Sequence, residues 1–391
     1  MGKTVRMRAV SRNSKELELY LHIPFCVKKC DYCDFLSGPW DRETRRRYVQ
    51  ALIGEIGALG KKYGSQEREI RSVFFGGGTP SLLTGDEIAG LMDCLCENFS
   101  IKEGTEITME ANPGTLTAEN LEKYKQSGVN RLSLGCQSMN DEELRMLGRI
   151  HTVREFLESY DMARNAGFEN LNVDLMSAIP GQQVRDWERN LKMVAELGPE
   201  HISAYSLIVE EGTPFSRRKL DLPDEDSERR MYEMTGEILR DYGYHPYEIS
   251  NYARSGRECI HNVGYWKRIS YLGMGLGAAS LIDGNLRYQN TCVMEEYLRD
   301  SVNPKKLFQE EQILSSQEEM EEFMFLGLRM TEGIREEDFS EYFGCSIDKI
   351  YGEKIEKHQK LGLLERKDGR VRLTRRGISV SNQVFVDFLL D

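Results

Sequence analysis

Glu16-Leu-Glu-Leu-Tyr20-Leu-His-Ile-Pro24-Phe-Cys26-Val-Lys-Lys-Cys30-Asp-Tyr32-Cys33 joins an alternating, strand-like run to three cysteines spaced CxxxCxxC. The run Glu16–Ile23 reads as a strand that Pro24 stops. Three thiols within eight residues converge on one inorganic centre if the loop wraps it. Thiolates hold iron–sulfur clusters, whereas a tetrahedral zinc site wants a fourth Cys or His nearby. The position two past Cys33 is Phe35. On spacing alone, a zinc site completed from afar and three unrelated loop cysteines both stay open. Three ligands on a four-iron cluster would leave one iron free to chelate a substrate or cofactor.

Strand followed by helix recurs beyond that stretch. The periodicity predicts strands at Glu16–Ile23, Ile70–Phe75, Glu106–Glu110, Arg131–Gly135, Asn170–Met176 and His201–Ile208. Between them it predicts helices at Arg42–Tyr63, from the capping box Thr84–Glu87 through Cys96, and at Thr117–Gln126. Further helices are expected at Asn140–Leu147, Val153–Asn165, Val184–Leu197 and Glu225–Tyr242. Such alternation implies a parallel sheet with helices outside it, and six strands suit a partial (β/α) barrel. Chemistry in these sheets sits at the carboxyl ends of strands. Cys26 onward, Gly76–Thr79, Glu110, Gln137 and Asp174 all fall there. The expected division is a barrel over residues 1–250, an extension over 251–303, and a module over 304–391 parted from it by Asn303-Pro304. In the last, helices precede a hairpin at Asp368-Gly369, as in a winged helix.

The chain has 391 residues, 40% of them hydrophobic, so it can bury a substantial core. Its net charge of −12, from 52 Lys+Arg against 64 Asp+Glu, argues against a nucleic-acid partner. No apolar run approaches bilayer length. Met1–Ser14 is basic and polar without an apolar core, so no secretory signal is expected. Nine cysteines, an odd count, fit free thiols in a reducing compartment better than a disulfide framework, and a cytoplasmic location is expected.

The cysteine loop, with Phe75-Gly-Gly77-Gly78-Thr79-Pro80 after a strand and Glu110 at a strand end, resembles radical SAM enzymes. That resemblance implies a 4Fe–4S cluster on Cys26, Cys30 and Cys33, with S-adenosylmethionine on the open iron. In that superfamily an electron from the cluster cleaves the sulfonium to give a 5′-deoxyadenosyl radical. Leu134-Gly-Cys-Gln-Ser138, Leu147-Gly-Arg-Ile-His151 and Asn172-Val-Asp-Leu-Met176 narrow the similarity to the oxygen-independent coproporphyrinogen III oxidase-like family, over residues 17–390. Residues matching that family's contacts to the cluster-bound SAM are Tyr20, Gly77 and Glu110. Tyr32, Gly78, Thr79, Gln137, Arg149 and Asp174 match the lining of its second SAM site.

Phe35 stands where the oxidase has a fourth cysteine, and the segment before the first strand is shorter than the oxidase's. The CxxxCxxCxF form resembles the haem chaperone branch of the family, HemW. So does His261-Asn-Val-Gly-Tyr265-Trp266. An imidazole is a common axial haem ligand, and the two aromatic rings offer flat faces to a porphyrin. Cys259 is an alternative ligand, His22 is the most credible competing histidine, and a core histidine with two packing aromatics is the bland alternative. The branch implies haem b as cargo and apo haemoproteins such as respiratory enzymes as recipients. A membrane-associated recipient and a homodimer stay open, as does a tetrapyrrole-modifying radical SAM enzyme.

Overall fold

Six parallel strands pair in chain order: β1 (Glu16–Ile23), β2 (Glu69–Gly77), β3 (Glu106–Ala111), β4 (Arg131–Gln137), β5 (Leu171–Ser177) and β6 (His201–Ser206). Each is followed by helix: α1 (Arg42–Tyr63), α2 (Gly85–Asn98), α3 (Ala118–Gln126), α4 (Asp141–Met146) with α5 (Val153–Asn165), α6 (Val184–Leu197) and α7 (Glu225–Asp241). Thr84 and Thr152 close capping boxes on α2 and α5, and Asn140 caps α4. This computed structural model describes residues 15–390, and the polar run Met1–Ser14 lies outside them.

Period-two alternation divides the sheet into two unlike faces. Leu17, Leu19, Leu21 and Ile23 of β1 pack under α1 in the main core, as Val73, Phe75, Met109, Leu132 and Val173 do on later strands. The alternate positions carry Glu18, His22, Ser72, Glu106, Thr108, Arg131, Ser133 and Asn172, all buried and polar. The helices therefore cover the apolar face, and the concave interior is polar.

The sheet extends at both edges. Past α7, β8 (Asn251–Ala253) adds antiparallel to β6, and β7 (His245–Pro246) adds antiparallel to β8. After α8 (Ile260–Trp266), β9 (Tyr271–Met274) joins β1 in parallel. Then β10 (Ala279–Ile282), β11 (Leu286–Asn290), α9 (Met294–Asp300) and β12 (Phe308–Ile313) complete the far edge. The outer strands β12 and β7 do not pair, so the barrel is open. Asn303-Pro304, expected as a linker, instead leads through a single 3-10 turn into β12, which pairs with β11. The sheet thus runs to Ile313.

The remainder has its own apolar core. It is built from α10 (Ser316–Gly327), β13 (Ile334–Arg335), α11 (Glu336–Phe343), α12 (Ile347–Lys360), β14 (Leu364–Lys367), β15 (Arg370–Leu373), α13 (Arg375–Ser379) and α14 (Ser381–Asp387). The order β13-β15-β14 with a tight Asp368-Gly369 turn, both residues at positive φ, is winged-helix-like. The wing's arginines are met by carboxylates: Arg366 by Glu336 and Asp348, Arg370 by Glu332, and Arg372 by Glu365. No helix among the described residues is long and apolar enough to cross a membrane.

Glu55 ties the barrel's edge together. Buried on α1, it accepts hydrogen bonds from the Gly275 amide (2.8 Å), Asn290 Nδ2 (2.7 Å) and Tyr297 Oη (2.6 Å). Burial pushes its carboxyl up from 4.5 to about 7. The folded chain then keeps a proton that the unfolded chain has released between these values. The stabilisation this gives is complete below pH 4.5 and is lost as pH rises through about 7. Melting curves from pH 5 to 8 are expected to show a falling Tm that flattens in Glu55→Gln; an unchanged pH slope in the variant contradicts the assignment.

Candidate functional site

The loop Cys26–Cys33 leaves β1 at the carboxyl edge of the sheet, and its three free cysteines are half-buried around one cleft. Neighbours hold the loop on every side. Cys26 N–H donates to Gly38 O (2.9 Å), and Asp31 N–H donates to Leu147 O (3.1 Å). Asp31 Oδ2 accepts from Arg218 (2.7 Å). Tyr20 Oη lies 3.0 Å from His22 Nδ1, and His22 Nε2 donates to Leu36 O (2.8 Å), so the inner face of β1 is tied to the loop it feeds. Thr79 Oγ1 sits 3.5 Å from Cys26 Sγ, and Arg149 Nη1 is 3.6 Å from Cys30 Sγ.

The same cleft is lined by Tyr32, Gly77, Gly78, Thr79, Glu110, Gln137, Arg149 and Asp174. Tyr20 lies off this lining, on the inner face of β1 behind His22. Gly77 has φ +109°, and a side chain at Gly78 would press on Phe25 O (2.7 Å) and Ile23 O (2.9 Å), so the backbone there forms a close-fitting cradle. Gln137 sits at φ 67°, left-handed for a residue with a side chain, where the β4–β5 register shifts. Glu110 accepts from the Gly77 amide (3.0 Å), and burial beside Asp174 pushes its carboxyl up to about 7. Asp174, also raised by burial, accepts from Asn172 Nδ2 (2.8 Å) and Ser133 Oγ (3.1 Å). Arg149 Nη2 donates to Asn112 Oδ1 (2.6 Å) and Gly135 O (2.7 Å). Sequence reasoning missed Asn112 and Ser133. Both follow from strand alternation, since each shares a face with a residue that was singled out.

Among the described residues no three His, Cys, Asp or Glu side chains gather closely enough for a single metal ion. A four-iron cluster places its thiolates on different irons and needs no such convergence. Three free thiols at one cleft mouth, with a guanidinium beside one of them, fit a cluster bound at three corners. Burial raises the Cys33 thiol to about 11, a cost that ligation to iron reverses by deprotonating it. Phe35 is 62% exposed and lines the same mouth.

The 261–266 segment is α8, and the structure gives His261 the core position left open as the bland alternative. Its side chain is 1% exposed, stacked on Phe74 at 4.9 Å and edge-on to Tyr265. Ser72 Oγ lies 2.8 Å from Nδ1 and Tyr265 Oη 3.0 Å from Nε2, so both ring nitrogens are engaged. Burial, with Arg131 nearby, lowers the imidazole to about 3 and keeps it neutral. Trp266 stacks under Arg329 at 4.3 Å. Cys259 is buried at the start of α8, near Glu106. His22 is committed to Tyr20 and Leu36. In this arrangement iron could reach the His261 ring only after those two buried hydrogen bonds break.

Two outcomes follow. Cys26→Ala, Cys30→Ala and Cys33→Ala are each expected to lose the ~400 nm absorbance of a thiolate-bound iron–sulfur centre while keeping the circular dichroism of the fold; a retained band in all three contradicts the site. His261→Ala is expected to cost about 2–4 kcal/mol of stability, through a cavity and two unpaired hydroxyls. Denaturant melts check this, and an unchanged midpoint contradicts the core role.

The radical SAM superfamily model matches residues 20–194, and the HemN C-terminal domain model matches residues 314–380. A protein named heme chaperone HemW from Lactococcus lactis subsp. lactis is 37% identical over 376 residues, 95% of this chain and 97% of that one. A protein of the same name from Bacillus subtilis is 36% identical over 378 residues, 95% and 98% of the two chains. The solved coproporphyrinogen III oxidase (HemN) from Escherichia coli superposes with a TM-score of 0.84 over 97% of this chain and 92% of that one. At 24% identity that match shows the shared fold. With the barrel, the cysteine loop and the C-terminal module all accounted for from end to end, the chain belongs to the HemW branch of the radical SAM superfamily.

Proposed function

We propose that this chain is a haem chaperone. It holds a 4Fe–4S cluster and S-adenosylmethionine in the cysteine cleft, carries haem b, and passes it to apo haemoproteins such as respiratory enzymes. The observation that carries this reading is the end-to-end similarity to the Lactococcus lactis protein named heme chaperone HemW. The exposed Phe35 in place of a fourth cysteine supports it.

Cys26, Cys30 and Cys33 would hold the cluster, whose chemistry when bound is one-electron reduction of the sulfonium. The other residues bind and orient. Gly77 and Gly78 let the backbone pack against His22, Ile23 and Phe25 where a side chain would not fit, and the Gly77 amide already fixes Glu110. Glu110 and Asp174 are buried carboxylates that favour cationic groups, as the ammonium and sulfonium of S-adenosylmethionine are. Arg149, held by Asn112 and Gly135, supplies positive charge beside Cys30. Tyr32, Thr79 and Gln137 line the same cleft and match the wall of the family's second S-adenosylmethionine site. His261, Tyr265 and Trp266 are the residues that the resemblance offers to haem, the His261 ring being reached once its hydrogen bonds to Ser72 and Tyr265 open. All nine cysteines are free, which fits a reducing, cytoplasmic setting.

One anaerobic preparation tests the reading. With haem it is expected to give a Soret band, and with dithionite, S-adenosylmethionine and coproporphyrinogen III no decarboxylated product. Robust consumption of the porphyrinogen would replace the carrier with a tetrapyrrole-modifying enzyme.

A further inference from the structure

Asp174 stands at the cysteine cleft, and α8 begins beside Cys259 and Glu106 at the other end of the strands. One unbroken run of side chains joins the two. Asn172 Nδ2 donates to Asp174 Oδ1 (2.8 Å), and Asn172 Oδ1 accepts from His201 Nδ1 (2.6 Å). His201 Nε2 lies 2.9 Å from Tyr247 Oη, which in turn accepts from the Cys259 amide (3.4 Å). Asn172, His201, Tyr247 and Cys259 are at most 6% exposed, so water does not compete along the run.

Chemistry fixes the direction of every bond. An ionised Asp174 only accepts, so Asn172 turns its amide nitrogen to it and its carbonyl to His201. That carbonyl requires the His201 hydrogen on Nδ1, and burial with Arg131 nearby keeps the ring neutral. Nε2 is left to accept the Tyr247 hydroxyl proton, and the phenol oxygen takes the Cys259 N–H. All four donors point toward Asp174. Bonds aligned head to tail polarise one another. A cation beside Asp174 favours its ionised form, and an ionised acceptor holds its donor harder than a neutral one. The pull passes along the run to the start of α8.

The helix is built to respond. Glu106 accepts from its Ile260 and His261 amides at 3.1 and 3.2 Å. Glu18 is buried under it, against Gly264, where a side chain would run into the carboxylate. Neither Glu18 oxygen has a hydrogen-bond partner among the described residues. The outer side of α8, at Ile260 and Val263, borders a cleft of about 840 Å³ that gives the helix room to lift. A buried acid without partners favours lifting, and the bonds at the helix start oppose it.

Resting on the haem-carrier reading, we infer that His201 and Tyr247 are positioning residues through which S-adenosylmethionine in the cysteine cleft tightens the seat of α8, and so sets the access of haem iron to His261. The test is amide hydrogen exchange over Cys259–Trp266 in the cluster-loaded chain, kept from oxygen, with and without saturating S-adenosylmethionine. Equilibrium dialysis measures cofactor binding on the same samples. Wild type is expected to exchange there at least about fivefold more slowly with the cofactor bound. Linkage is reciprocal, so Tyr247→Phe and His201→Phe are expected to lose the slowing and to weaken the cofactor by about the same factor. Tyr247→Phe removes one hydroxyl and decides the matter if His201→Phe does not fold. Tyr244→Phe removes a buried hydroxyl bonded to Pro199 O, off the run, and is expected to change neither quantity. Unchanged exchange in cofactor-bound wild type, or full slowing in Tyr247→Phe, overturns the coupling and leaves the carrier reading standing. Loss of the slowing in Tyr244→Phe as well marks a general loosening of the fold and overturns it too. A wild-type chain that takes up no S-adenosylmethionine overturns the cofactor site of the carrier reading, and this coupling with it.

Discussion

Cys26–Cys33 has no helix or strand of its own, and its thiols share one cleft because surrounding side chains hold the loop there. The path Tyr20–His22–Leu36 fastens it to β1, Asp31 fastens it to Arg218 and the α4 end, and Thr79 just past β2 and Arg149 just past α4 reach the sulfurs. Holding three free thiols half-buried at one cleft would leave room for the proposed cluster with an unshared corner. Parallel pairing of β1, β2, β3 and β4 sets the places from which these segments leave the sheet.

The polar interior of the barrel is the second constraint. Burying Glu18, Glu106, Glu110, Arg131 and Asp174 together is costly unless they are paired or meet a charged ligand. Glu106 is spent on the first amides of α8. Glu110 and Asp174 face the cleft with raised pKa values, the state expected of acids awaiting a cation. His261 belongs to this interior: one side of α8 plugs the barrel and the other borders a separate cleft.

Much of this was legible in the sequence because it is local. The capping boxes at Thr84 and Thr152, the Asn140 cap and the Asp368-Gly369 turn follow from residues three or four apart. The cleft residues were legible through motifs at strand ends. Asn303-Pro304 misled because its turn looks like a linker, while the pairing of β12 with β11 is long-range. The burial of His261 was hidden for the same kind of reason: His-x-x-x-Tyr on a helix describes a ligand and a core pair equally well, and its contact with Ser72, 189 residues away, exists only in the fold. Asn112 and Ser133 are ordinary residue types that gain meaning only when the strands align.

The most direct test of the central claim is the iron, sulfide and zinc content of the chain purified without oxygen. A cluster on Cys26, Cys30 and Cys33 predicts about four irons and four sulfides per chain, lost together when any of the three cysteines is replaced. Stoichiometric zinc, or no metal at all, would contradict it.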